Sequence, residues 1–284
     1  MSRNKDRTGG TAALDEGPPA PLTTDTGGGG FSFVVPTEFV ELPSQGKFYP
    51  EGHPLRGQSS IEVRQMTAKE EDILTSKTLL KKNVALDRVL QNLIVEPSIN
   101  ADHLLIGDRN ALIVAIRVSG YGNEYNTSIM CPRCTATQKY AFDLNTAGIF
   151  EGDPPNENIT HNGDGTFTTK LPKSGVSATF RLLNGADERN LLAGINLDKK
   201  QKIHERTITR QILNIVTAVN GDDSSDALNY LVQNIPSSDS RHLRLAYKSV
   251  APNIDLTQDF ECTECGHETE LEVPLTADFF WPDR

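Results

Sequence analysis

Cysteine is scarce in this 284-residue sequence: there are four, at Cys131-Pro-Arg-Cys134 and Cys262-Thr-Glu-Cys265. No stretch approaches 18 consecutive apolar residues, so nothing reads as a membrane-spanning helix. Basic residues are outnumbered, 28 Lys and Arg against 38 Asp and Glu, and the net charge of −10 argues against an electrostatic nucleic-acid binder. The leading MSRNKDRTGG has basic residues but no apolar stretch behind them, unlike a secretory signal, so synthesis in a reducing cytoplasm is expected. Neither Gly-x-Ser-x-Gly, nor a phosphate-binding Walker loop, nor a dinucleotide fingerprint occurs. Hydrophobic content is a modest 37%, and 16 prolines and 22 glycines imply much loop. The length still suffices for one large or two ordinary domains.

The four thiols are what one tetrahedral Zn²⁺ needs, each Cys-x-x-Cys pair supplying two sulfurs from a tight turn. Between Cys134 and Cys262 lie 127 residues, far more than in a compact zinc ribbon, so a shared metal closes a very long loop. Two redox motifs are the first alternative, but these sit near βαβ units, and the flanks here look like hairpins. Two disulfides are the second, and they need an oxidising compartment. The knuckles share one layout. Each runs from thiol turn into an alternating strand that ends at leucine ten residues after the second cysteine, Leu144 in one case and Leu275 in the other. Gly266 follows the second pair where a knuckle uses positive φ. Two such hairpins side by side make a zinc ribbon. Four thiolates fill the coordination sphere, which leaves no open position for catalysis. Iron is a second metal that thiolates accept.

Residues 1–30 hold seven glycines, three prolines, five threonines and no aromatic, and read as a disordered tail. An extended arm and helical domain is expected over 31–123. Within it, Thr67 and Glu70 form a capping box ahead of a helix carrying Ile73 and Leu74. Leu86, Val89, Leu90, Leu93 and Ile94 follow the helical period. A further helix spans Arg109–Val118, with Asp108 as its cap and Gly120 and Gly122 ending it. A split zinc-ribbon module then comprises 124–145 plus 255–284. Between its halves, 146–254 is a mostly helical insertion. It opens with a hairpin signalled by Asp164-Gly165 between strands around Phe167–Leu171 and Ser177–Leu183. It continues with helices over Ile208–Val219, Asp226–Gln233 and Ser240–Val250. The whole is α+β.

Two aromatic clusters suit docking to a partner. Phe48 and Tyr49 lie in a stiff, proline-punctuated run, and Phe279, Phe280 and the single tryptophan, Trp281, lie near the end of the sequence. The competing reading is that both cap the core. His161-Asn-Gly-Asp-Gly165 lacks the alternating oxygen ligands of a calcium loop. His267 reads as a surface histidine. Around the second knuckle, Glu261, Glu264, Glu268, Glu270 and Glu272 have no nearby lysine or arginine, so that surface repels phosphate.

Several strings resemble the T4-type bacteriophage baseplate protein family, associated with assembly of the hub of a contractile tail. They are Val40–Tyr49, Met66–Thr75, Leu79–Arg88, Gly107–Ala111, Ser119–Gly122 and Asp278–Asp283. The resemblance covers roughly 38–145 and 255–284. It implies a non-enzymatic protein of the virion tail baseplate, assembled in the host cytoplasm. Such a protein acts through contacts with other tail and hub proteins, without a small-molecule substrate or a membrane. A zinc-ribbon nucleic-acid-binding protein is the alternative.

Overall fold

The computed structural model describes residues 35–81, 84–154, 156–204, 206–274 and 277–280. The chain divides between Pro36 and Thr37. The tail expected over 1–30 lies outside the described residues.

From Thr37 the chain builds an antiparallel pair, β1 (Thr37–Glu41) with β2 (Ser60–Arg64), whose alternation buries Val40, Ile61 and Val63. The arm between them turns at Gly46, where φ is +65° and an added Cβ would lie 2.4 Å from the Leu55 carbonyl oxygen, so only glycine fits. Then come α1 (Ala68–Thr75), α2 (Lys77–Lys81) and α3 (Ala85–Leu93). In α3 the 3.6 period works as expected, and Val89, Leu90 and Leu93 are buried. The expected Thr67–Glu70 capping box forms at the start of α1. The Glu70 carboxylate accepts both the Thr67 N–H (3.1 Å) and the Thr67 hydroxyl (2.6 Å).

The central helix, α4 (Ile106–Tyr121), starts three residues before the expected Arg109 and ends at Gly122, whose φ is +82°. Asp108 is not its cap. Its side chain points away from its own helix and fixes the arm, accepting the Ser44 N–H (2.9 Å), the Ser44 hydroxyl (2.6 Å) and the Tyr49 hydroxyl (2.7 Å). The Tyr49 oxygen in turn accepts the Leu105 N–H at 3.2 Å. All four residues are buried. Burial raises the Asp108 carboxyl above its usual range, against the hydrogen bonds from Ser44 and Tyr49 that lower it. Asp108→Asn cannot accept all three donors without turning an amide N–H toward one of them. We expect a loss of about 2 kcal/mol in urea unfolding, the cost of one stranded buried donor.

Beyond α4 lie β3 (Glu124–Met130), β4 (Thr137–Asp143), β5 (Gly148–Phe150), β6 (Ile159–His161), β7 (Thr166–Lys170) and β8 (Ser177–Arg181). They are followed by α5 (Gly185–Lys200), α6 (Thr207–Ile215), β9 (Val216–Val219), α7 (Ser225–Asn234) and α8 (Ser237–Val250), then β10 (Asn253–Asp255), β11 (Thr257–Glu261) and β12 (Glu268–Glu272). Among the described residues every strand pairing is antiparallel: a four-stranded sheet in the order β6-β7-β8-β9, and two-stranded pairs β3-β4, β5-β10 and β11-β12 beside β1-β2. The class is α+β. Two expectations for the middle region change. Asp164-Gly165 closes β6 onto β7, while β7 and β8 turn around Gly175. The helix expected to reach Val219 stops at Ile215. The β-branched Val216-Thr217 leads instead into an edge strand that pairs with β8, because the sheet offers backbone partners that an isolated helix end lacks.

One core joins these parts. Leu42 of the arm, Leu112 of α4, Phe142 of β4, Phe167 and Phe180 of the four-stranded sheet and Leu243 of α8 are all fully buried in the same cluster. Thr37–Arg284 is accordingly one compact unit. Residues of 146–254, among them Phe167, Phe180 and Leu243, contribute to this core. Among the described residues no helix is long and apolar enough to cross a membrane.

The α5–α6 hairpin is closed by charge. Asp198, buried, accepts from Arg206 (3.0 Å) and twice from Arg210 (2.8 and 3.1 Å). The Arg210 hydrogen bond, then that of Arg206, holds its carboxyl well below the usual range. A carboxylate that ionises more readily in the fold than in the open chain contributes fully above the open-chain value, about pH 4, and loses that contribution as pH falls below it. Acidification below about pH 4 should therefore remove hydrogen-exchange protection from α5 and α6 before α4 is affected.

Candidate metal centre

The hairpins β3-β4 and β11-β12 carry the two cysteine pairs at their turns. The turns are built alike. The Cys131 N–H reaches the Ala136 carbonyl (2.9 Å) and the Cys262 N–H the His267 carbonyl (3.0 Å). Thr135 N–H returns to the Cys131 carbonyl (2.9 Å) and Gly266 N–H to that of Cys262 (2.8 Å). Thr135 and Gly266, at the same place in each turn, have φ of +60° and +62°. The glycine was legible from sequence. The strained threonine was not, because a β-branched residue is rarely found there. Thr135→Gly should stabilise the protein by about 1 kcal/mol, read as a raised unfolding temperature at fixed metal content.

The folded chain brings all four sulfurs together, with no two more than 4.8 Å apart. Cys134 Sγ lies 3.7 Å from Cys262 Sγ and Cys131 Sγ 3.9 Å from Cys265 Sγ, each pair drawn from both hairpins. A tetrahedral sphere with Zn–S near 2.3 Å requires edges of about 3.8 Å. All four cysteines are free. Cys131 and Cys262 are buried against Phe260, while Cys134 and Cys265 reach solvent. The Cys134 N–H, directed at Cys131, is the first cause that lowers the Cys131 thiol to about 7. Burial, then the neighbouring Cys134, pushes Cys265 up to about 12. Four thiols so close cannot all ionise without a cation among them. His267 supplies its carbonyl to the turn and stands outside the sulfur cluster.

Side chains that sequence reading passed over hold the hairpins together. Gln138 of β4 donates to the Glu261 carbonyl (3.0 Å) and accepts from the Thr263 N–H (2.9 Å). Gln258 of β11 answers it, accepting from the Asp143 N–H (3.1 Å) and donating to the Asp143 carbonyl (2.8 Å). Tyr140 donates its hydroxyl to the Asp259 carbonyl and packs its ring on Phe142 and Phe260. The signal lay in the alternation Gln138-x-Tyr140-x-Phe142, which turns these side chains to one face. The opposite face of β11-β12 shows Asp259, Glu261, Glu268, Glu270 and Glu272 to solvent, with Asp259 across from Glu270 and Glu261 across from Glu268.

The aromatic anchors fare differently. Tyr49, Phe279 and Phe280 are buried in the core of this chain, so the structure gives them a packing role and not an exposed docking face. Phe48 is half-buried against Phe167 and His161. Trp281 lies outside the described residues. Phe279 offers its carbonyl to Arg117, a fully buried guanidinium at the end of α4 that also donates to the carbonyls of Gly122 and Glu124.

A family model described as T4 bacteriophage base plate protein matches residues 35–281. The chain belongs to this family. No curated protein and no solved structure matches it. The matched span includes 146–254. The strings that carried the resemblance meet as joints of the fold. Val40–Tyr49 meets Gly107–Ala111 through Asp108. Leu79–Arg88 meets Gly107–Ala111 again, Asp87 pairing with Arg109 at 2.7 Å. Met66–Thr75 meets Ser119–Gly122, where the Tyr121 hydroxyl donates to Glu71 at 3.1 Å.

Proposed function

We propose that this baseplate protein is a non-enzymatic structural or assembly component of the hub region of a contractile phage tail. It works by contacts with other tail and hub proteins and is assembled in the host cytoplasm. One Zn²⁺, held by Cys131, Cys134, Cys262 and Cys265, clasps its two hairpins. The family match over 35–281 carries the baseplate reading, and the sulfur spacings of 3.7 and 3.9 Å support the metal. Once bound, the ion supplies cross-linking and charge neutralisation: it lets four thiolates share one site and ties residue 131 to residue 265. The alternative of a nucleic-acid-binding ribbon is disfavoured by five carboxylates on the exposed face of β11-β12, which repel phosphate.

Elemental analysis of protein purified without added metal, paired with mass spectrometry of copurifying tail proteins, tests both halves. About one zinc per chain together with hub proteins is expected. A metal-free protein that remains folded removes the clasp, and an absence of tail partners removes the hub role.

A further inference from the structure

We infer that the α5–α6 hairpin docks into a protein partner presenting an apolar cleft rimmed by carboxylates. This deepens the baseplate reading and rests on it. Among the described residues, twelve large hydrophobic side chains are exposed, and five of them fall within this one hairpin: Leu192, Leu197, Ile203, Ile208 and Leu213. None of the five joins the core cluster, although Ile212 and Ile215 at the end of α6 do.

The hairpin keeps its shape without covering them. Asp198 ties Arg206 and Arg210 across the turn. The Arg210 guanidinium packs over Gly194, within 2.6 Å of where a Cβ would stand. A polar clamp thus pre-organises an element whose leucines and isoleucines stay in water, and such surfaces mark interaction sites.

Charge selects the partner. Residues 197–210 contain five Lys and Arg against Asp198 and Glu205, in a chain whose net charge is −10. Asp198 engages Arg206 and Arg210, while Lys200 and Lys202 stand exposed at the turn. An acidic cleft is repelled by the β11-β12 face and attracted here. A second copy of this chain fits less well. Its acidic face, formed by Asp259, Glu261, Glu268, Glu270 and Glu272, has no apolar side chain to receive the hairpin.

The full chain, coexpressed with the tail proteins of its phage, provides the test. Two double variants are compared with it, Lys200→Glu with Lys202→Glu, and Leu197→Ser with Ile203→Ser. A benzophenone amino acid at position 203 reports what lies against the hairpin. The expected result is at least a tenfold drop (about 1.4 kcal/mol) in retained tail protein for both variants. Metal content and unfolding temperature should be unchanged, and the cross-link should map to an apolar segment flanked by Asp or Glu. If both variants retain tail proteins as the parent does, the hairpin is not the docking element and the baseplate reading survives. Cross-linking to a second copy or to nucleic acid overturns the inference as well. A parent chain that retains no tail protein sinks the baseplate reading and this inference with it.

Discussion

If the proposed clasp holds, Cys262→Ser should abolish metal binding and destabilise the protein by several kcal/mol, on the order of 5, the scale set by closing a loop of more than 100 residues. The loss begins locally. Cys131, Cys262 and Phe260 form a small cluster separate from the main core, joined to it by Ile129 and Tyr140. Without the ion, four thiols within 4.8 Å repel when ionised and gain little when protonated. The glutamine staples and Phe260 remain, but they sit in hairpins of 5–7-residue strands, and an isolated hairpin of that size is marginal in water. Hydrogen exchange should therefore show β3, β4, β11 and β12 opening at low denaturant while α4 stays protected, and a chelator should reproduce the pattern on the parent protein. An unchanged unfolding midpoint with metal still bound to Cys262→Ser would exclude the four-cysteine clasp.

Arg117→Ala should cost about 4 kcal/mol, the scale of leaving buried carbonyls unpaired and opening a cavity where a large side chain stood. The guanidinium is fully buried and, among the described residues, pairs with no carboxylate. It satisfies three backbone carbonyls instead, Phe279 at 2.7 Å, Gly122 at 2.6 Å and Glu124 at 3.0 Å. It also lies over the rings of Tyr121 (5.5 Å) and Phe279 (5.9 Å). Its position at the end of α4 lets the helix dipole favour the charge. Alanine leaves the three carbonyls unpaired and opens a cavity beneath Phe279. Lysine does not restore them, since one ammonium lacks the planar fork that reaches three directions. Urea unfolding with parallel metal analysis separates this joint from the proposed clasp: Arg117→Ala should lose stability with its metal content equal to the parent's. A loss below about 1 kcal/mol would show that the segment around Phe279 is held by packing alone.

The four-cysteine cluster, the amphipathic α3 and the glycine at Gly266 were legible because each signal is local or depends on residue type alone. Thiols at two-residue spacing imply a shared turn whatever surrounds them. A 3.6 period places Val89, Leu90 and Leu93 on one face in any fold that buries it. The strings behind the family resemblance were legible as strings, while the reason they occur together was not. Ser44 with Asp108, Asp87 with Arg109 and Tyr121 with Glu71 are contacts between residues far apart in the chain, and no local period encodes them.

Tertiary partners decided the rest. Phe48, Tyr49, Phe279 and Phe280 read equally well as anchors or as core, because an aromatic side chain gains from leaving water on either surface. Tyr49 went inward because Asp108 and the Leu105 amide satisfy its hydroxyl there, and Phe279 because Arg117 takes its carbonyl. Val216–Val219 kept a helical spacing and became a strand because β8 offered free backbone groups at its edge. The sequence by itself determined the cysteine set, the class and the family. Which residues face inward was decided by the fold, since the free energy of burying a group depends on partners supplied from elsewhere in the chain.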